Sequence, residues 1–284
     1  MKIYTPNQNI KKAVKQILRS SKYLEMVAYM MQNNRMMNPS GYGEYGDTIE
    51  DIYNHFVKIA TLFEDKYPGD IRNKTILEIG TGITRTAMLY MIKTWDLKKV
   101  YCYDRFNCLN KIDDVIIEKY NLSKYLPRIH YISCENNLLI NHLRGDTVDY
   151  IVSNAVLEHV PDLKQLFGIM TKILDDNGTM YHKVDLRCHN RFKKCGELYF
   201  HTFSTRLWNI MGDKIGHPNR KILTDYLEIF EKCKLKSNMK IIQQYDNLTM
   251  EEATKYLKVA NIEDYKYSIV EFILQKNKHK NYTA

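Results

Sequence analysis

The sequence predicts an α/β protein built on a mostly parallel sheet. Three observations predict it. Residues 74–84 read Lys-Thr-Ile-Leu-Glu-Ile-Gly-Thr-Gly-Ile-Thr, an apolar strand that stops at two glycines one residue apart and leads into a helical stretch. Further short apolar runs recur downstream, and most are separated by helical periodicity. Alternating strands and helices are the pattern of a parallel sheet with its crossovers. Finally, the second run ends at Asp104, roughly 20 residues beyond the glycine turn, the spacing at which an acid beside such a turn reaches ribose hydroxyls.

Each element follows from its local pattern. Residues 9–37 read as a helix, with Val14, Ile17, Leu18, Leu24 and Val27 on one face and lysines and arginines on the other. Residues 38–47 form a glycine-rich loop holding Tyr42 and Tyr45, suited to a lid or a linker. A helix is expected over 48–67, with Ile49, Ile52, Phe56, Ile59 and Phe63 on one face, ending at Pro68-Gly69. Strand one is 75–79. The helix after it starts with Thr84 as N-cap and runs to about residue 94. Strand two is 100–103. Asp104 then serves either a ribose or the N-terminus of a helix over 107–120. Strand three is 129–132 and strand four is 148–152. A helix over 163–174 leads to an Asn177-Gly178 turn and strand five, 179–186. Strands six and seven are 239–243 and 268–274, with a helix over 249–260 between them. The sheet therefore has seven strands. Residues 1–70 and 186–235 are additions around its one core, and the lysines of 276–280 form a solvated tail.

Composition narrows the class. Hydrophobic residues make up 44% of the 284 and charged residues 26%, ordinary values for a globular protein. No apolar run approaches the ~18 residues of a membrane span, and Lys11, Lys12 and Lys15 interrupt the N-terminus where a signal peptide needs an apolar core. A cytoplasmic location is expected. The six cysteines form no C-x-x-C pair and are expected to stay thiols. The net charge of +9 favours an anionic partner: a nucleotide-linked sugar, a phosphorylated glycan, nucleic acid or a membrane surface. The basic residues are spread along the chain rather than gathered, so nucleic acid is the weaker reading.

The glycine turn decides between cofactors. A dinucleotide site asks for a third glycine where Arg85 stands, and the acid Glu78 before Gly80 suits a ligand with an amino group better than a pyrophosphate. Here the chain resembles the class I S-adenosylmethionine-dependent methyltransferases, whose first motif is an apolar strand ending in acid-x-Gly-x-Gly: Leu77-Glu78-Ile79-Gly80-Thr81-Gly82. The resemblance sharpens at 148–160. There Asp149-Tyr150-Ile151 is followed by a short polar turn and Val156-Leu157-Glu158-His159-Val160, the form of the family's fourth motif. It implies a Rossmann-like seven-stranded, mostly parallel sheet with an antiparallel last strand, and S-adenosylmethionine as methyl donor with S-adenosylhomocysteine as product. It also implies that residues 71–284 form the methyltransferase domain. Glu78, Gly80, Gly82, Asp104, Glu135, Asn154 and Ala155 would then hold the cofactor, Glu135 near the adenine amine.

A further likeness is to the subset of these enzymes found among surface-glycan and sugar-modifying systems. Its marks are Asp185-x-x-x-His189 after strand five, Ser204-x-x-Leu207-Trp208, and Asn219-Arg220 before the next helix; Cys188 stands where that subset often has a second acid. The likeness makes 186–235 an acceptor-site insertion. A small-molecule or glycan acceptor methylated at a hydroxyl needs a base, for which His159, His189 and Asp185 are the candidates. Tyr45, His182, Arg187, Trp208, Asn219 and Arg220 are the candidate acceptor contacts, the arginines for a phosphate or carboxylate. No metal is expected, since the cysteines and histidines of 187–201 fit no zinc spacing. The alternatives are an RNA methyltransferase, a non-catalytic protein that binds S-adenosylmethionine, and a nicotinamide oxidoreductase, against which Arg85 argues.

Overall fold

The computed structural model describes Leu24 and residues 45–67, 69–143, 145–188, 196–211 and 217–277. The expected helix over 9–37 apart from Leu24, most of the 38–47 loop, the tail after Asn277, and His189 lie outside these residues. Seven strands form one sheet in the order β3-β2-β1-β4-β5-β7-β6. They are β1 (Thr75–Ile79), β2 (Lys99–Asp104), β3 (Ile129–Ser133), β4 (Val148–Asn154), β5 (Leu174–Asp185), β6 (Leu235–Gln244) and β7 (Tyr267–Lys276). β1 to β5 pair in parallel, and β7 runs antiparallel to both β5 and β6. The last strand is thus antiparallel as expected, and it lies inside the sheet rather than at its edge.

Helices cover both faces. On one face α1 (Ile49–Glu64), α2 (Thr86–Trp95) and α3 (Lys111–Lys119) pack on Ile76, Val100, Cys102 and Val152. On the other, α5 (Leu163–Ile173) and α7 (Leu223–Lys232) pack on Leu77, Tyr101, Tyr103 and Ile151. Neighbouring residues of one strand therefore go to opposite cores, which is why β1 is buried at every position and its sequence does not alternate apolar with polar. The remaining helices are α4 (Leu139–Leu143), α6 (Thr205–Met211) and α8 (Asn247–Tyr256). α1 opens with a capping box: Thr48 accepts from the Asp51 amide and Asp51 accepts from the Thr48 amide. Its buried face, Ile52, Phe56, Ala60 and Phe63, is continuous with the core under β1, although it lies in the segment read as an extension.

Several boundaries differ from expectation, three of them instructively. α2 starts at Thr86, because Thr84 gives its hydroxyl to Asp113 while accepting from the Thr86 amide. Arg85, at the third-glycine position, is held by a two-pronged ion pair with Asp113 of α3, at 2.8 and 2.6 Å, so its bulk is directed to α3. β5 begins at Leu174 and carries Asn177-Gly178 within it; a side chain at Gly178 would meet Leu174 and the Asp149 carbonyl oxygen at 2.7 and 2.9 Å. β6 begins at Leu235, four residues early; after that buried leucine, Lys236, Ser237 and Asn238 are exposed and polar and show no apolar pattern.

Candidate active site

The sheet reverses its winding between β1 and β4, and the ends of β1, β2 and β4 open into a crevice there, the usual ligand position of such sheets. Gly80 (φ 81°) and Gly82 (φ 69°) both take left-handed backbone that favours glycine. They differ in their surroundings. A Cβ on Gly80 would lie 2.2 Å from Val156, whereas a Cβ on Gly82 would meet nothing within 4 Å. Gly80 is needed for packing under the crevice, and Gly82 keeps the space above it clear. The Gly80 amide donates to the Tyr103 carbonyl at 2.7 Å, tying the turn to β2.

Two acids flank the turn. Glu78 is 7% exposed and accepts from the Thr81 hydroxyl at 2.8 Å. Burial pushes its carboxyl up to about 7, against the pull of hydrogen bonds from Thr81 and Cys102. Asp104 accepts from the Gly82 and Phe106 amides at 2.9 and 3.0 Å, and burial raises it also. Glu135, by contrast, is an exposed carboxylate paired with Arg105 at 2.8 Å. The buried polar group at the end of β3 is the next residue: Asn136 accepts from the Tyr103 hydroxyl at 2.6 Å. At the end of β4, Asn154 is half-buried, and Ala155 is left-handed (φ 53°) with its amide donating to the Lys183 carbonyl. That bend carries Val156 over Gly80.

Beyond it the chain makes a tight turn, Leu157–His159, whose position is fixed from outside. The Asn219 side-chain amide donates to the carbonyls of Leu157 and Val160 at 2.8 and 2.9 Å, and the Asn219 backbone amide donates to the Glu158 carbonyl at 2.7 Å. The Glu158 side chain is 2% exposed and accepts from the Asp185 amide; burial holds its carboxyl well above the usual range. His159 opens onto a cleft of about 170 Å³ that Arg105, Phe106, Trp208, His217 and Arg220 also line. Arg105 and Phe106 directly follow Asp104, so the cleft adjoins the crevice.

The structure corrects several sequence expectations. His182 is wholly buried, with Nδ1 2.8 Å from the Ser153 hydroxyl and its ring edge-on to Phe167; burial lowers it to about 3, so it is a neutral core residue and not an acceptor contact. Asn219 spends its amide on the 157–160 turn. Trp208 is 3% exposed, and its indole N–H donates to the Pro218 carbonyl at 2.9 Å, so it supports the cleft rather than offering a stacking face. Arg187 grips Asp185 at 2.8 and 2.6 Å and does not line the cleft. Tyr45 packs on His55 and Phe56 of α1, away from it. Arg105, Glu158 and His217 were not anticipated. They come from segments far apart in the chain, and only Glu158 had a local signal, its place inside the Leu-Glu-His motif. Among the described residues no cluster of potential metal ligands occurs, and no helix is long and apolar enough to cross a membrane.

This strand order, with the acid-flanked glycine turn at the switch point and Asp104 on the next strand, defines a class I S-adenosylmethionine-dependent methyltransferase. A family model described as a methyltransferase domain matches residues 53–233, and the chain belongs to that family. The turn suits the cofactor: an acid for its ammonium group, an acid at the ribose position, and open space over Gly82. The fold is similar to a geranyl diphosphate C-methyltransferase from Streptomyces coelicolor (12% identity, 87% of this chain and 88% of that one, TM-score 0.52). It is likewise similar to an O-methyltransferase family protein from Burkholderia thailandensis (10% identity, 93% and 71%, TM-score 0.53). At these identities the likeness is one of fold. Among curated proteins no match was found.

Proposed function

We propose that the protein methylates a hydroxyl of a small-molecule or glycan acceptor held in the cleft beside His159, and that His159 is the base. The observation that carries this is the meeting of His159 with Trp208 and Arg220, from the segment likened to sugar-modifying enzymes, in one cleft next to Asp104. In this reading 71–284 is the methyltransferase domain and 186–235 its acceptor-site insertion. Glu78, Asp104, Asn154 and Ala155 hold the cofactor, which supplies a methyl group activated by its sulfonium. The protein's own work is to hold the acceptor oxygen in line and to take its proton as the oxygen–methyl bond forms. Asp185 is a weaker candidate, since the Arg187 fork occupies both of its carboxylate oxygens. His189 lies outside the described residues and is tested beside His159.

The experiment is transfer of labelled methyl to a panel of sugars, nucleotide sugars, glycans and RNA. Label is expected in a sugar or glycan fraction, and His159→Gln is expected to slow transfer by about 10²–10⁴-fold with S-adenosylhomocysteine affinity kept. Label in RNA alone overturns the acceptor. Full activity in His159→Gln, with loss in His189→Gln, reassigns the base.

A further inference from the structure

We infer that the acceptor carries an anionic group, a carboxylate or a phosphate, which Arg220 and Arg105 receive in the cleft. This deepens the reading above and rests on it for calling the ligand an acceptor. Among the described residues that line the cleft are two arginines and two histidines, His159 and His217, and no acid. Low-dielectric walls around charges of one sign concentrate the opposite sign, and the net charge of +9 adds to this field.

The Arg220 site is built rather than incidental. Its backbone is left-handed (φ 60°), a costly conformation for an arginine. Of the six described non-glycine residues that share it, three cap or follow helices, at Asp96, Asn121 and Lys234; Ala155 and Arg220 instead flank the crevice and the cleft. The bonds from Asn219 lock the preceding residue in place. The guanidinium lies 5.0 Å from the Trp208 ring and donates to the Phe203 carbonyl. Trp208 is itself pinned by Pro218 and lies against the His217 ring, tilted by 32° with centroids 4.4 Å apart. The tryptophan is therefore a post against which the Arg220 guanidinium and the His217 ring both rest. A planar fork held in one orientation is suited to two-pronged recognition of a carboxylate or phosphate.

Arg105, which lines the same cleft, supplies the second charge. It pairs with Glu135, but both are substantially exposed (34% and 61%), so solvent screens that pair and an anion in the cleft competes for the guanidinium. The volume of about 170 Å³ admits such a group with part of a ring.

The test reads binding, not turnover. Protein loaded with S-adenosylhomocysteine is titrated calorimetrically with glucose, glucuronate, glucose 6-phosphate and inorganic phosphate. At least one charged probe is expected to bind about tenfold or more tighter than glucose, and Arg220→Met to erase the difference. Glucuronate against glucose 6-phosphate separates carboxylate from phosphate. Arg220→Lys, which keeps the charge but loses the fork, is expected to retain part of the preference, and covers the case in which the methionine variant unfolds. Arg105→Met is expected to weaken the charged probes independently, and Lys236→Met, remote from the cleft, to leave them unchanged. No preference among the probes, absence of binding included, overturns the inference, as does a preference that survives Arg220→Met. Anions that bind while S-adenosylhomocysteine does not would remove the cofactor reading and leave the anion site standing.

Discussion

The glycine turn proposed for the cofactor and the cleft proposed for the acceptor adjoin, yet they are made differently. The crevice is made of backbone: two left-handed glycines and the amides of Gly82 and Phe106 turned onto Asp104, all at the ends of buried parallel strands. The cleft is made of side chains from four separate stretches, around residues 105, 159, 208 and 219, held by long-range bonds to one another's carbonyls. Strand ends fix the first within the shared framework of the sheet. The second draws Trp208, His217 and Arg220 from outside that framework, so in the proposed reading it is where acceptor choice resides.

The two regions are expected to break in different ways. The largest effect is at Gly80. Gly80→Ala forces left-handed backbone on a residue with a Cβ and drives that Cβ into Val156, at a cost of roughly 2–5 kcal/mol. Denaturant unfolding checks it, and pairing with Val156→Ala is expected to recover the steric part. Gly82→Ala costs only the backbone share, about 1–2 kcal/mol, and acts instead by obstructing cofactor binding. Equal losses at the two glycines would break the distinction.

Next is the pH dependence of Glu78. Its carboxyl is raised from 4.5 to about 7 in the folded protein, so between those values the folded state holds more proton than the unfolded one. Ligand-free stability therefore falls as pH rises through that window, by up to about 3 kcal/mol, and Glu78→Gln flattens the slope. An ammonium group beside this acid favours its ionised form, so cofactor affinity is expected to strengthen as pH rises through about 7 in the native protein and not in the variant. Titration calorimetry across pH checks both halves.

The smallest effect lies in the cleft. Asn219→Ala removes the bonds that hold the 157–160 turn while leaving the crevice untouched. Turnover is expected to drop roughly tenfold with S-adenosylhomocysteine affinity unchanged. A matching loss of cofactor affinity would mean that the turn supports both regions.

The same contrast explains what the sequence disclosed. β1, its glycine turn and Asp104 were legible because a strand buried on both faces is a continuous apolar run and a left-handed bend between strand and helix calls for glycine. The Val-Leu-Glu-His-Val stretch was legible by resemblance. His182, a histidine inside strand five, was a candidate acceptor contact by residue type alone; its partner, Ser153, lies on the neighbouring strand and only the sheet register brings them together. Glu135 and Asn136 differ by one position, and local pattern does not say which of two adjacent residues turns inward. Arg105 and His217 had no signal, because only the fold brings their segments together.

The turn at 78–82, with Asp104 beside it, is proposed as the S-adenosylmethionine site. Calorimetric titration of the native protein and of Asp104→Ala with S-adenosylhomocysteine tests it most directly, with circular dichroism to show that the variant is folded. The account predicts saturable one-site binding to the native protein and a loss of tenfold or more in the folded variant. Equal affinity in both, or no binding to the native protein, would contradict it.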